Sequence, residues 1–495
     1  MLGVVDALSV KTRRVWGLFF LVSLASTWVI QLVLLTWLFP QWSDGNGLLR
    51  SWDVGGFHTV AALQAQAIVE SGWQAWELRP EGWGVSGLLS AWYAVTVPSP
   101  WAFAPVQSVL YATGMSIVFI LVHAVCQSRR HALIAVLPFL LFPSAATLYA
   151  QPHRDIFVFC AIMLAMYGWW QLLRVQTQMH WLRMLRHCIG GLLFIAAGFV
   201  LGFVVRRLAA DMLQLIAVIM VAVTLLAVVL NSRQGSIARW PAPLISVVTV
   251  VLVAIVMLAG HQSRGYAQWT TLVDSSDQVS DVDTQSAEMD AAAPPERISD
   301  PLDATETAIR DAVWVRSDML PRRLDDSFRR LTGARNHLLT EYAHSRTLVD
   351  ESVLFTSATD VVAYLPRAMQ IGLLAPFPSQ WLPHAEAPPF RNVQRVLAGV
   401  EMALIYPLLP FFGYAMWVWR GRPALWLVVL PASAWVAVYA ITVPMVGALV
   451  RYRYVALILL VSLALAGLLH WIRRMRAGGD ASGLEPDTVQ IKSLK

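Results

Sequence analysis

Lysine is almost missing from this chain. Of 37 basic residues only Lys11, Lys492 and Lys495 are lysine, and the rest are arginine. An arginine where a lysine would serve therefore carries little information, whereas the place where an arginine lies carries a great deal. Charge of either sign is scarce, at 14% of 495 residues against 57% hydrophobic, which excludes a soluble globule of ordinary composition. Cysteine is scarce as well: Cys126, Cys160 and Cys188 lie in or beside apolar runs, which excludes a disulfide framework and a cysteine metal site and leaves small buried hydrophobes. No Walker loop, dinucleotide glycine motif, paired-cysteine zinc motif or nucleophile elbow occurs, so soluble nucleotide chemistry is excluded. The net charge of +6 lies mostly in short loops, where membrane orientation accounts for it, and it is no sign of nucleic acid.

What the chain does have is long apolar runs. Residues 15–38, 212–230, 244–259 and 455–469 reach or approach the roughly 20 residues that a bilayer crossing needs. They predict an all-α polytopic membrane protein with about ten transmembrane helices, a long outer first loop and one large external insertion. The first run has no small-residue cleavage site behind it and reads as an anchored helix. Basic residues favour the cytoplasmic side, and Arg13, Arg14, Arg129, Arg130, Arg174, Arg183, Arg186, Arg420, Arg422, Arg473 and Arg474 agree on one orientation with both termini inside. The organisation that follows is a cytoplasmic N-terminus at 1–14, then a transmembrane core at 15–260 holding seven helices and the outer loop 40–101. An external polar and interfacial segment occupies 261–392, three further helices lie in 393–472, and a cytoplasmic tail covers 473–495. Within the external segment, 274–311 is acidic and rich in Ala, Ser and Pro, the composition of a disordered or loosely packed stretch. Residues 311–350 are basic, with Trp314, Leu324, Phe328 and Leu331 at helical intervals, which predicts a helix lying on the membrane surface or on the outer loops. Prolines interrupt the apolar sequence at 361–381, a broken or interfacial segment.

That orientation leaves five arginines on the side that basic residues normally avoid: Arg154, the pair Arg206 and Arg207, and the pair Arg451 and Arg453. Guanidinium groups at one depth suit a phosphate or pyrophosphate on a lipid carrier, because the planar fork matches its oxygens. The ordinary alternative is that they reach the outer headgroups, with Arg207 pairing with Asp211 four residues on. The acids nearest them are Asp53, in Trp52-Asp-Val-Gly-Gly-Phe-His58, and Asp155, in the five-residue turn Gln151-Pro-His-Arg-Asp155 that also carries His153. Asp53 suits a general base for an acceptor hydroxyl, with Asp44, Glu70, Glu77 and Glu81 as competitors in the same loop. Asp155 reads either as a cap on the following helix or, with Asp53 or His58, as a ligand to a divalent cation. Glu401, inside an apolar helix, must face protein or a water-filled cavity.

Trp52-Asp53 followed by Phe57-His58, the alanine-rich stretch ending Glu70-Ser-Gly72, Gly82-Trp-Gly84, Pro98-Ser-Pro100, Phe142-Pro-Ser144 and Arg154-Asp155 together resemble the GT-C class of integral membrane glycosyltransferases. That class includes the protein mannosyltransferases and the aminoarabinose transferases. The match covers roughly the first 175 residues. Further on, 360–381 and 447–454 resemble bacterial membrane proteins linked to surface polysaccharide. The resemblance implies a GT-C-like fold in a bacterial inner membrane and transfer of a sugar from a polyprenyl-phosphate donor to a glycan, lipid or protein acceptor at the outer face. It assigns Asp53 as base and Asp155 as its assistant; His58, His153, Arg154, Arg206, Arg207, Arg451 and Arg453, by their place on the same side, are the candidates for holding the substrate. Two features depart from the class: Asp53 is followed by Val54 and not by a second acid, and the C-terminal part carries no recognisable soluble catalytic domain. An O-antigen or exopolysaccharide polymerase or ligase, and a flippase or assembly component of polysaccharide export, are the alternative readings.

Overall fold

The computed structural model describes residues 10–50, 53–174, 181–232, 314–343, 347–383 and 389–481. Among the described residues there is no strand, only three isolated bridges between extended segments. Seven helical stretches are long and apolar enough to cross a membrane: Thr12–Leu38, Pro100–Cys126, Arg154–Leu173, Trp181–Val205, Pro389–Trp419, Pro423–Thr442 and Val446–Arg476. The protein is an all-α polytopic membrane protein. The expected seventh helix and the acidic stretch both lie outside the described residues.

Helix α1 (Val10–Trp28) continues as a π-helical stretch, Val29–Leu38. Gln31 lies in that stretch, buried, where an amide left without partners would be costly. Its side-chain Nε2 donates to the Ala150 carbonyl at 2.6 Å, and its backbone carbonyl accepts from the Thr36 hydroxyl at 2.7 Å. Gly47 packs against that carbonyl at φ +73, and a Cβ there would lie 2.6 Å from Gln31 O, so no other residue fits. The loop that follows forms α2 (Val54–Ser71) and α3 (Gly84–Val95), and α4 (Pro100–Cys126) is the next helix long and apolar enough to cross.

The apolar run 132–150, which by length alone predicts a span, is not one helix. Pro138 and Pro143 divide it into α5 (Arg129–Val136), a short 3-10 turn (Leu137–Leu140) and α6 (Pro143–Ala150), since a proline supplies no N–H and crowds the preceding turn. The amide at the start of α6 is not left bare: Ser144 N–H donates to the Glu401 carboxylate at 2.7 Å. The buried acid thus faces protein, as expected.

Helices α7 (Arg154–Leu173) and α8 (Trp181–Val205) form the closest pair. Glycines let their backbones meet, the packing that membrane helices use where apolar side chains gain nothing over lipid: a Cβ at Gly198 would lie 2.4 Å from Ala161 O. The chain breaks at Arg206 before α9 (Arg207–Ser232). That break is held by the loop between α1 and α4, where Arg79 donates to the carbonyls of Phe203 and Val204 and Gly84 sits directly on Val204.

The basic amphipathic helix of the external segment is α10 (Arg322–Glu341), followed by α11 (Ala358–Leu374), which carries Pro366. Buried Arg335 of α10 donates to the carbonyls of Ile441, Val349 and Asp350, and Arg367 grips the Asp350 carboxylate with two bonds of 2.9 and 3.0 Å. Residues 347–349 also pair with the loop before the last helix: Val349 N–H donates to Pro444 O and Val446 N–H to Thr347 O. This surface helix is therefore packed on protein. The chain closes with α12 (Pro389–Ile405) and α13 (Leu409–Trp419), which share one span, then α14 (Pro423–Thr442) and the long α15 (Val446–Ala481).

A methyl group at Gly84 would lie 1.9 Å from Val204 O, whereas at Gly190 it would meet nothing within 4 Å. Gly84→Ala is expected to lose about 1–3 kcal/mol of stability by overpacking, and Gly190→Ala to lose none. Thermal unfolding of the two variants in detergent checks this.

Candidate functional site

Four sequence-distant segments meet at one end of the bundle. The first is the turn between α6 and α7, fixed from both sides: Gln31 caps Ala150 from α1, and the Gln151 side chain accepts from Leu49 N–H at 3.0 Å. With its ends tied, the turn holds His153, Arg154 and Asp155 against the protein. The cap expected of Asp155 is made instead by His153, whose Nδ1 lies 3.2 Å from Asp155 N. Asp155 keeps a favourable place in the first helical turn, near the positive end of the dipole, but its carboxylate is free to face elsewhere.

The second segment is the start of α2. Asp53 holds the N-cap position there without a side-chain bond to its own helix, so the carboxylate turns outward to arginine. Arg154 Nη2 donates to Asp53 Oδ2 at 2.9 Å, and the Arg154 guanidinium also lies over the Phe57 ring, 5.7 Å from its centre. The third segment is the first turns of α15. Arg451 bridges the two acids, with Nη2 at 3.7 Å from Asp53 Oδ2 and Nε at 3.2 Å from Asp155 Oδ2. The fourth is the break before α9, where Arg206 adds Nη1 at 3.8 Å from Asp155 Oδ1 and stacks over Tyr452, 4.5 Å from the ring centre.

The His153 imidazole lies between the two carboxylates, Nε2 at 3.6 Å from Asp53 and Nδ1 at 3.0 Å from Asp155. A neutral ring accepts the Asp155 N–H at Nδ1 and presents Nε2–H to Asp53, while a protonated ring donates to both acids. The two acids differ in setting: the Asp53 side chain is 43% exposed and that of Asp155 only 7%. Buried charge persists only when it is paired, and Asp155 has Arg451, Arg206 and His153 around it.

The structure thus brings together Asp53, His153, Arg154, Asp155, Arg206 and Arg451. It does not bring Arg453 or His58. Two residues along a helix turn through about 200°, so Arg453 faces away from Arg451; it is 1% exposed and donates to Gly372 O at 2.7 Å and to Met402 S at 3.3 Å. His58 is buried with Nδ1 3.1 Å from the Tyr93 hydroxyl, and burial lowers its pKa although the Asp44 charge opposes this. The Arg207 side chain lies outside the described residues. Of the competing acids, Glu70 accepts from Gln66 on its own helix at 2.8 Å, and Asp44, Glu77 and Glu81 form no ion pair with these arginines.

Among the described residues no group of three or more His, Cys, Asp or Glu side chains is arranged to hold a metal ion. Both carboxylates already face guanidinium groups, and His58 is elsewhere, so this donor set does not fit the expected divalent cation. Three residues of the site gave no warning in the sequence. Tyr452 and Tyr439 flank the Arg206 guanidinium, at 4.5 and 6.0 Å from their ring centres. Tyr342, at the end of α10, is within electrostatic reach of Asp53 and Tyr452, and burial together with the Glu341 charge pushes its hydroxyl up to about 12. The alternation Arg-Tyr-Arg-Tyr at 451–454 was the one available signal, because on a helix it separates the two arginines.

Burial opposes ionisation of Asp53, but the His153 hydrogen bond and the charges of Arg154 and Arg451 outweigh it and hold the carboxyl well below its ordinary value of 3.8. A group with a depressed folded-state pKa stabilises the fold fully above its ordinary value and loses that contribution as pH falls toward the folded one. The melting temperature of the wild type is therefore expected to fall more steeply than that of Asp53→Asn below about pH 4, with parallel curves between about pH 5 and 7. Identical slopes throughout would show that the carboxylate is not held by these partners. Compared with known protein families, with characterised proteins and with solved structures, the chain finds no match in any of the three.

Proposed function

We propose that this protein is a membrane glycosyltransferase that moves a sugar from a polyprenyl-phosphate donor to a glycan, lipid or protein acceptor at the outer face of a bacterial inner membrane. The observation that supports this reading is the convergence of Arg154, Arg206 and Arg451 on two carboxylates at one locus, one of them 43% open to solvent. In this reading the fold is GT-C-like, the chain crosses about ten times with both termini in the cytoplasm, and residues 244–259 supply one of the further spans.

Three guanidinium groups against two carboxylates leave one positive charge in excess. A sugar phosphodiester carries one negative charge and balances it, whereas a diphosphate carries two and exceeds it. The acceptor hydroxyl oxygen attacks the anomeric carbon as the bond from that carbon to the phosphate oxygen breaks. The bonding pair leaves with the phosphate, and the hydroxyl proton passes to Asp53, with inversion at carbon. The second negative charge developing on the departing phosphate is stabilised by Arg154, Arg206 and Arg451, already in place before the reaction. Asp155 takes no proton in this scheme. It holds Arg451 and Arg206, and Arg453 plays no part.

Asp53→Asn is expected to fold normally and to lose transfer by about 10²–10⁴-fold, the usual worth of a positioned base. The assay supplies radiolabelled polyprenyl-phosphate sugar and a mixed glycan acceptor to purified protein in vesicles; full activity in the variant would overturn the assignment of Asp53. Consumption of a diphosphate-linked oligosaccharide alone would mark a polymerase or ligase, and movement of labelled lipid across the vesicle without cleavage a flippase.

A further inference from the structure

The same geometry that gathers the site also masks its base. Asp53 Oδ2 carries Arg154 at 2.9 Å, Arg451 at 3.7 Å and His153 at 3.6 Å, all on one oxygen. A carboxylate neutralised in this way is a poor proton acceptor for a hydroxyl. The guanidinium groups that would bind a phosphate are also partly engaged, since Arg154 pairs with Asp53 and Arg451 spends one edge on it. Base and anion site therefore compete for the same arginines.

The two acids hold those arginines unequally. The pair of Asp53 with Arg154 is partly open to solvent, its side chains 43% and 28% exposed, so water can take up either group when the pair opens, at less cost than for a buried charge. Asp155 is 7% exposed, and breaking its contacts would strand a buried charge. Arg451 spans both situations, because its Nη2 edge faces Asp53 and its Nε edge faces Asp155. A guanidinium held at Nε by a buried acid can turn its outer nitrogens to a new partner without losing its anchor.

We propose that a phosphate-bearing ligand binds by exchange. It takes Arg154 and the outer edge of Arg451 from Asp53, while Asp155 retains Arg451 and Arg206, so that Asp53 is uncovered as a base only when the site is occupied. The uncovering rests on the transferase reading, but the exchange itself is a matter of binding alone. Asp155 is in this scheme a positioning residue for two arginines. The device also limits loss of donor to water, since an empty or half-filled site presents no free base.

The test uses the full chain purified in detergent, titrated by calorimetry with dodecyl phosphate and, separately, with inorganic phosphate. Asp53→Asn removes the competitor and is expected to bind dodecyl phosphate about five- to tenfold more tightly than the wild type. Loss of one negative charge at Asp155 would by simple repulsion do the same, yet exchange predicts weaker binding for Asp155→Asn, because Arg451 and Arg206 lose their anchor. Should that buried variant fail to fold, a cycle with Arg154→Gln decides: exchange predicts that the gain from Asp53→Asn shrinks severalfold in the Arg154→Gln background, whereas relief of repulsion leaves it whole. Unchanged or weaker binding by Asp53→Asn, an undiminished gain in the double variant, or no binding of either phosphate overturns the proposal. Tighter binding of both ligands supports exchange at a site for phosphate in general, and tighter binding of dodecyl phosphate alone supports exchange at a site for lipid-borne phosphate. Sugar transfer by a wild type whose Asp53→Asn variant binds no more tightly would defeat exchange and leave the transferase standing. Tighter binding without transfer from any sugar donor would do the reverse.

Discussion

One end of the helix bundle depends on Arg451 lying between two carboxylates that arrive from separate parts of the chain. Asp53 comes from the loop after the first span, Asp155 from the start of α7, and Arg451 from the last helix. A charge at the edge of a bilayer costs far less when it is paired, so each of these groups fixes the others. The pairing also requires that α1, α7 and α15 end at one level. Gln31 on the Ala150 carbonyl ties α1 to the turn before α7, the short pairing of 347–349 holds the loop before α15, and Arg79 on the end of α8 fixes the break that carries Arg206.

Arginine suits this place for a reason that composition hides. Lysine would bring a charge but only one nitrogen, whereas Arg451 addresses Asp53 and Asp155 from different atoms of one plane. Arg206 uses its plane in another way, lying flat on Tyr452 while its edge reaches Asp155. The same chemistry sustains Arg335, which is not part of the site: its buried guanidinium gathers three backbone carbonyls and stabilises the turn at Asp350. A chain that uses arginine nearly everywhere thus uses it in distinct ways, told apart by what each nitrogen faces.

How much of this was legible in the sequence followed the range of the forces involved. Apolar runs gave most of the spans, because hydropathy is a local property that needs no partner. The exception was 132–150, where Pro138 and Pro143 lie inside an apolar run and the break is set by backbone sterics. Arg154 and Asp155 could be placed because a turn of five residues leaves little freedom. Arg453 misled because side and depth were read from its neighbour, whereas direction around the helix separates Arg451 from it. His58 is drawn to Tyr93 by packing within the first loop, which nothing in its spacing reveals. Tyr342 and Tyr439 approach the site only through tertiary contacts among α10, α14 and α15, and no local pattern reports those.

The bond from Gln31 to the Ala150 carbonyl changes what the first helix is for. A membrane anchor is defined by length and hydropathy and can be exchanged for any other of the same kind. Here an unrelated apolar helix would insert with the same orientation and still leave the turn before α7 without its cap. The part of the chain that looks most generic is therefore specific to this architecture, and a chimera that targets correctly would not be equivalent to the native protein.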